Sequence, residues 1–167
     1  MSKTKTLVDL TPFCYIPHEP CVLFLLTVPF TEGDYTYATD GAIIVRVPKR
    51  PGFEKKQGAR YPKVERVGTF TAPGRLRKCP AVKGPPLGVD PWWMECNISE
   101  DGEDEWPEVI DAAVERIVIR DEFFGRRYVW LISQLPGVKI ANCRVASDPG
   151  LYFQFDGGSG YVKALRK

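Results

Sequence analysis

Any chemistry in this chain must come from one histidine, five cysteines, and 23 lysines and arginines set against 21 aspartates and glutamates. Only Cys14-x3-His18-x2-Cys21 has metal-ligand character, and Cys79 or Cys96 could add a fourth donor. Zinc takes a tetrahedron of thiolate and imidazole, and the first three residues lie close enough in sequence to share a loop. Their spacing matches no common zinc module, and Pro17 and Pro20 stiffen the segment. The alternative is that the cysteines are free and buried, where a thiol behaves as a small apolar group. The second reading is preferred, so no metal site and no cofactor are expected, and a small zinc-dependent protein is the weakest functional reading. Cys143, on an expected strand, is assigned to the core.

Catalytic signatures are sparse. The sequence has no Gly-x-Ser-x-Gly elbow, no P-loop and no His-Glu-x-x-His, and His18 is its sole imidazole. Asp156-Gly157-Gly158-Ser159-Gly160 resembles a phosphate-binding loop in composition, but no helix is expected after it, so it reads as a turn. A non-enzymatic chain is expected.

Charge is more informative. The net charge of +2 hides a basic block over 46–83, with twelve Lys/Arg against Glu54 and Glu65. An acidic block over 84–122 follows, with twelve Asp/Glu against Arg116 and Arg120. Two readings are open: the blocks neutralise each other, or the basic block is an electrostatic footprint for nucleic acid. On the second reading the candidate phosphate-tracking residues are Arg46, Lys49, Arg50, Lys55, Lys56, Arg60, Lys63, Arg66, Arg75, Arg77 and Lys78. Tyr61 is the aromatic among them that could stack on a base. A third possibility is a protein contact through Trp92 and Trp93, with the acidic run 100–105 as a solvated loop beside it.

These residues need a scaffold. At 167 residues the chain suits one domain with a real core, and 15 glycines and 15 prolines predict many turns. The longest apolar run, 22–28, is too short to cross a bilayer, and the start does not read as a signal peptide. An odd cysteine count fits reduced thiols in a cytoplasm.

The firmest local element is Asp40-Gly41 between two runs of β-formers, 35–39 and 42–47. A two-residue type I′ turn there predicts that Ala38 opposes Ile43, Tyr37 opposes Ile44 and Tyr35 opposes Arg46. Ala38, Ile43, Val45 and Val47 then face the core. Tyr35, Tyr37, Ile44 and Arg46 form either a second packing surface or an aromatic and cationic contact surface. Prolines interrupt 49–110, which reads as an irregular insertion. A short strand is expected at 115–120, then a helix over 122–135 capped by Asp121, with Phe124, Tyr128, Leu131, Ile132 and Leu135 on its buried stripe. Strands at 138–145, 151–155 and 161–165 complete an α+β domain, the last two joined by the wide loop 156–160.

Tyr37-Ala38-Thr39-Asp40-Gly41 with its following apolar strand resembles the Ala-Thr-Asp-Gly hairpin of bacterial DNA sliding-clamp domains. Arg46-Val47-Pro48 and the Phe155 to Gly160 strand pair are similar to motifs of uncharacterised phage and prophage proteins. The resemblance covers roughly 30–48 and 115–167, under half the chain. It implies a single clamp-like α+β domain over 1–167, an antiparallel sheet with one main C-terminal helix. Members of that group often carry a Cys-Pro-x-Cys-x-Gly insertion, but here Val82 stands where the second thiolate would be. The expected function is therefore that of a phage-derived accessory protein. It binds DNA or, alternatively, a host nucleic-acid-binding protein in the manner of an anti-CRISPR inhibitor.

Overall fold

The computed structural model describes residues 7–14, 28–81, 116–120, 122–145 and 148–165. Among them a 3-10 turn (Thr11–Phe13) precedes strands β1 (Phe30–Glu32), β2 (Tyr35–Thr39) and β3 (Ile43–Pro48). Helix α1 (Val64–Val67), strands β4 (Arg77–Lys78), β5 (Arg116–Ile119) and β6 (Glu122–Gly125), and helix α2 (Arg126–Ser133) come next. The chain ends in β7 (Lys139–Val145), β8 (Asp148–Phe155) and β9 (Gly158–Lys163). Seven strands form one antiparallel sheet in the order β1-β2-β3-β9-β8-β7-β4, and β5 pairs with β6 separately. No helix among the described residues is long and apolar enough to cross a membrane.

The first hairpin departs from its expected register. Ala38 opposes Val45 and Thr39 opposes Ile44, so four residues rather than two make the loop. A type I′ turn needs positive φ at both central residues, yet only Gly41 has it, at +98°. The Asp40 side chain favours the wider loop instead. Its Oδ1 accepts hydrogen bonds from the Ala42 and Ile43 amides at 2.8 and 3.0 Å. Thr39 Oγ1 accepts from the Gly41 amide and donates to the Ile43 carbonyl. The slip is two residues, so every side chain keeps its expected face.

Both sheet faces are covered. On one, Ala38, Ile43, Val45 and Val47 join Ile140, Leu151, Phe153, Phe155 and Val162 beneath Val129, Ile132 and Leu135. On the other, Phe30, Tyr37, Ile44 and Tyr161 pack against Val64 and Val67 of α1. Around Phe30, Tyr37, Ile44 and Tyr161 this second face is therefore a packing surface. The 49–81 part of the expected insertion is woven into the domain: Phe53 accepts from the Thr31 amide, α1 covers the sheet, and β4 forms an edge strand. The rest of that insertion, and Asp121, lie outside the described residues.

The expected helix at 122 begins later, at Arg126. Residues 122–125 pair with β5 instead, placing Phe124 in the core from a strand rather than from a helical stripe. The Leu165 amide donates to Phe123 O at 2.7 Å and pins this hairpin to the end of the sheet. Val129, which the stripe omitted, is fully buried, whereas Tyr128 and Leu131 pack at its margin.

The glycine-rich loop also contracts. Phe155 pairs with Gly158, so the turn is Asp156-Gly157, with Gly157 at φ +105°. Gly158 and Gly160 are strand residues opposite Phe155 and Phe153. A Cβ at Gly160 would lie 2.7 Å from Phe153 Cε2 and 2.5 Å from the Ile44 carbonyl oxygen. The rings fill the space that a side chain there would take.

Two stability experiments test this frame. Gly160→Ala forces the Phe153 ring from its rotamer and should cost about 1–3 kcal/mol in urea unfolding, typical of an overpacked core. Asp40→Ala strips the loop amides and Tyr128 of their acceptor and should cost about 3 kcal/mol, whereas Tyr128→Phe should cost about 1. Equal small losses in the last two would show that the carboxylate does not organise the loop.

Candidate nucleic-acid interface

Strand β4 pairs only Arg77 with Ile140 and Lys78 with Lys139, so β7 runs on past it. At that open edge a cleft of about 600 Å³ is lined by Arg75, Arg77, Lys78, Arg120, Asn142 and their apolar neighbours. Four of the described lining residues are cations and none is a carboxylate. Alternation along β4 sends Arg77 toward the face that α2 covers and Lys78 toward the other. Arg120 arrives from the end of β5 with φ +48°, the one non-glycine residue of positive φ among those described. Holding an arginine in that region costs on the order of 1 kcal/mol, which the surrounding contacts must offset.

Asn142 ties the cleft together. Its Oδ1 accepts from Arg77 Nη2 at 2.5 Å, and its Nδ2 donates to the Ile119 carbonyl at 3.0 Å. Burial, and then the positive charge of Arg120 nearby, hold the Arg77 guanidinium below its ordinary pKa. Two cations kept within electrostatic reach favour an anion between them.

A second feature emerges from register. Phe30, Tyr37, Arg46, Ser159, Gln154, Lys139 and Lys78 are successive partners across all seven strands. Directly opposed residues share a face, so this row crosses the sheet face opposite α2. Phe30 and Tyr37 are buried, but Gln154, Lys139 and Lys78 are exposed. With strands about 4.8 Å apart, Arg46 to Lys78 spans about 19 Å. Beside the row, a depression of about 370 Å³ is lined by Tyr35, Arg46, Phe70, Tyr152, Gln154 and Ser159, among others. The Arg46 guanidinium lies 4.0 Å over the Tyr35 ring and 4.4 Å over Phe70.

The expected basic residues therefore divide. Arg75, Arg77 and Lys78 meet in the cleft, and Arg46 sits in the depression. Arg50 donates from Nη1 to the Val8 carbonyl at 2.6 Å, so it staples the N-terminal segment to the sheet. Lys55 pairs with Glu32 at 2.6 Å. Lys49, Lys56, Arg60, Lys63 and Arg66 are exposed but line neither the cleft nor the depression. Tyr61 is not a free stacking surface, because its ring packs 4.9 Å from that of Phe30 and its hydroxyl accepts from the Lys56 amide. Arg120 and Lys139 were not among the expected residues. Arg120 is hidden inside the acidic block, and Lys139 opens a strand with no charge pattern around it.

Of the candidate zinc ligands, His18, Cys21 and Cys96 lie outside the described residues, as do Trp92, Trp93 and the acidic run. Cys14 and Cys79 are buried in the core, and Cys143 packs at the margin of the cluster under α1. Among the described residues no group of three or more His, Cys, Asp or Glu could hold a metal ion. Burial pushes the Cys14 thiol up to about 12 from its ordinary 9.0. The folded chain thus holds this proton more tightly than the unfolded one. Its contribution to stability is complete below about pH 9 and is lost as pH rises through about 12. Urea unfolding from about pH 9 upward should show falling stability, and Cys14→Ala should reduce that slope. Peptide mapping after alkylation at pH 8 should find Cys14 unmodified until the chain unfolds.

In comparisons with known proteins, no family model matches the chain, and no curated protein and no solved structure matches it.

Proposed function

We propose that this chain is a non-enzymatic DNA-binding protein that grips the phosphate backbone in the cationic cleft at the β4 edge. One observation carries the reading: Arg75, Arg77, Lys78 and Arg120 converge there with no carboxylate among the described lining residues. Arg50 and Lys55, by contrast, have partners that account for them. Arg77 and Arg120 lie within electrostatic reach of each other, which favours an anion between them. A phosphate oxygen supplies the missing charge and accepts the planar donors that arginine presents. The resemblance of the two hairpin motifs supports a phage-derived accessory protein of clamp-like type. A single domain cannot encircle a duplex as a complete clamp does, so contact through one surface is the mode proposed.

Binding of this kind is governed by counterion release. Four phosphate contacts predict a log–log salt slope of about −3.6 on duplex DNA. Fluorescence anisotropy with a labelled oligonucleotide, titrated in salt, measures it directly. Replacing the exposed Arg75 and Lys78 by alanine should lower the slope by about 0.9 for each contact removed. Absence of affinity at low salt, or a slope indifferent to both substitutions, would overturn the reading.

A further inference from the structure

The cleft and the aromatic depression adjoin each other. Ala141, which lines the cleft, is the register partner of Tyr152, which lines the depression. Lys78 of the cleft joins Gln154 of the depression through Lys139, along the row described above. One or two strand spacings separate them, about 5–10 Å, which is the scale on which a base hangs from its own phosphate.

Their chemistry is also complementary. The cleft offers cations, whereas the depression offers the Arg46 guanidinium seated over the half-buried rings of Tyr35 and Phe70, a planar group on which a base also stacks. Polar groups surround those rings. Gln154 is exposed, and its Oε1 accepts from the Tyr152 hydroxyl at 3.3 Å. An amide and hydroxyls beside an aromatic surface can bond the edge of a base that stacks there.

We infer that single-stranded DNA is the form this surface takes, with phosphates in the cationic cleft and an unpaired base in the depression beside it. The inference rests on the DNA-binding reading and names its substrate class. A duplex keeps its bases paired and stacked in its interior, so it engages the cleft but leaves the depression empty. Stacking surfaces accept any base, so recognition is tolerant of sequence and sensitive to strandedness.

The test compares a labelled oligothymidylate with a duplex of equal length, using the full chain at low and moderate salt. Oligothymidylate should bind at least about tenfold more tightly, in keeping with one stacked base. Tyr35→Ala should remove about that factor, and Tyr35→Phe, which keeps the ring, should retain it. A thermal melt of each variant checks folding. The wild-type chain gives a reading that needs no substitution: ultraviolet cross-linking to bromodeoxyuridine-containing oligonucleotide, mapped by mass spectrometry. Adducts at Tyr35, Phe70 or Tyr152 support the assignment. Adducts confined to other regions overturn it. Equal or tighter duplex binding overturns strand preference and leaves DNA binding standing, whereas no binding of either probe overturns both.

Discussion

The Asp40 carboxylate holds together parts of the chain that are distant in sequence. Oδ1 gathers the Ala42 and Ile43 amides, while Oδ2 accepts the Tyr128 hydroxyl at 2.6 Å and faces Arg127 Nη1 at 3.8 Å. The first pair of bonds sets the loop length and hence the register of β2 on β3. The Tyr128 bond ties α2 to that loop. Its side chain is only 6 % exposed, and both oxygens accept hydrogen bonds, as a buried polar group requires. Register on β3 then passes to β9 through Ile44 and Tyr161, and from there to β8 and β7. The part of the row from Arg46 to Lys78, about 19 Å long, inherits its alignment from this loop.

Much of this frame was legible in the sequence because alternation survives errors of detail. Ala38, Val45 and Val47 lie in the core as their spacing requires, although the hairpin is two residues out of its expected register. Side chains repeat every two residues, so that slip changes partners without changing faces. The helix boundary was harder. Phe123 and Phe124 suit a helix or a strand locally, and β5 decides between them by pairing across the turn. The glycines 158 and 160 were read as loop because their reason lies elsewhere, in the rings of Phe155 and Phe153 on the neighbouring strand.

The candidate site was legible only in part, for a related reason. Density of charge along a sequence says nothing of what each cation meets in space. Arg50 and Lys55 belong to the basic block, yet one is consumed by a carbonyl and the other by Glu32. Arg120 counts against the acidic block, yet it enters the basic cleft because a tight turn after β5 directs it there. Lys139 gains its significance from standing between Lys78 and Gln154, a relation that exists only once the sheet is formed.

The cations differ in what the fold sets around them. Arg46 has two rings, and Arg50 has a carbonyl: each is placed where its charge is compensated by packing or by a hydrogen bond. Among the described residues Arg77 has one amide oxygen for a guanidinium with five donors, and a like charge nearby. If the cleft served only to close the sheet edge, an apolar or neutral side chain at position 77 or 120 would do so without that repulsion. The positive φ at Arg120 adds a second local cost at the same place. Both local costs fall on the cleft that the proposed function uses, and on that proposal an anion held there would offset the repulsion between Arg77 and Arg120.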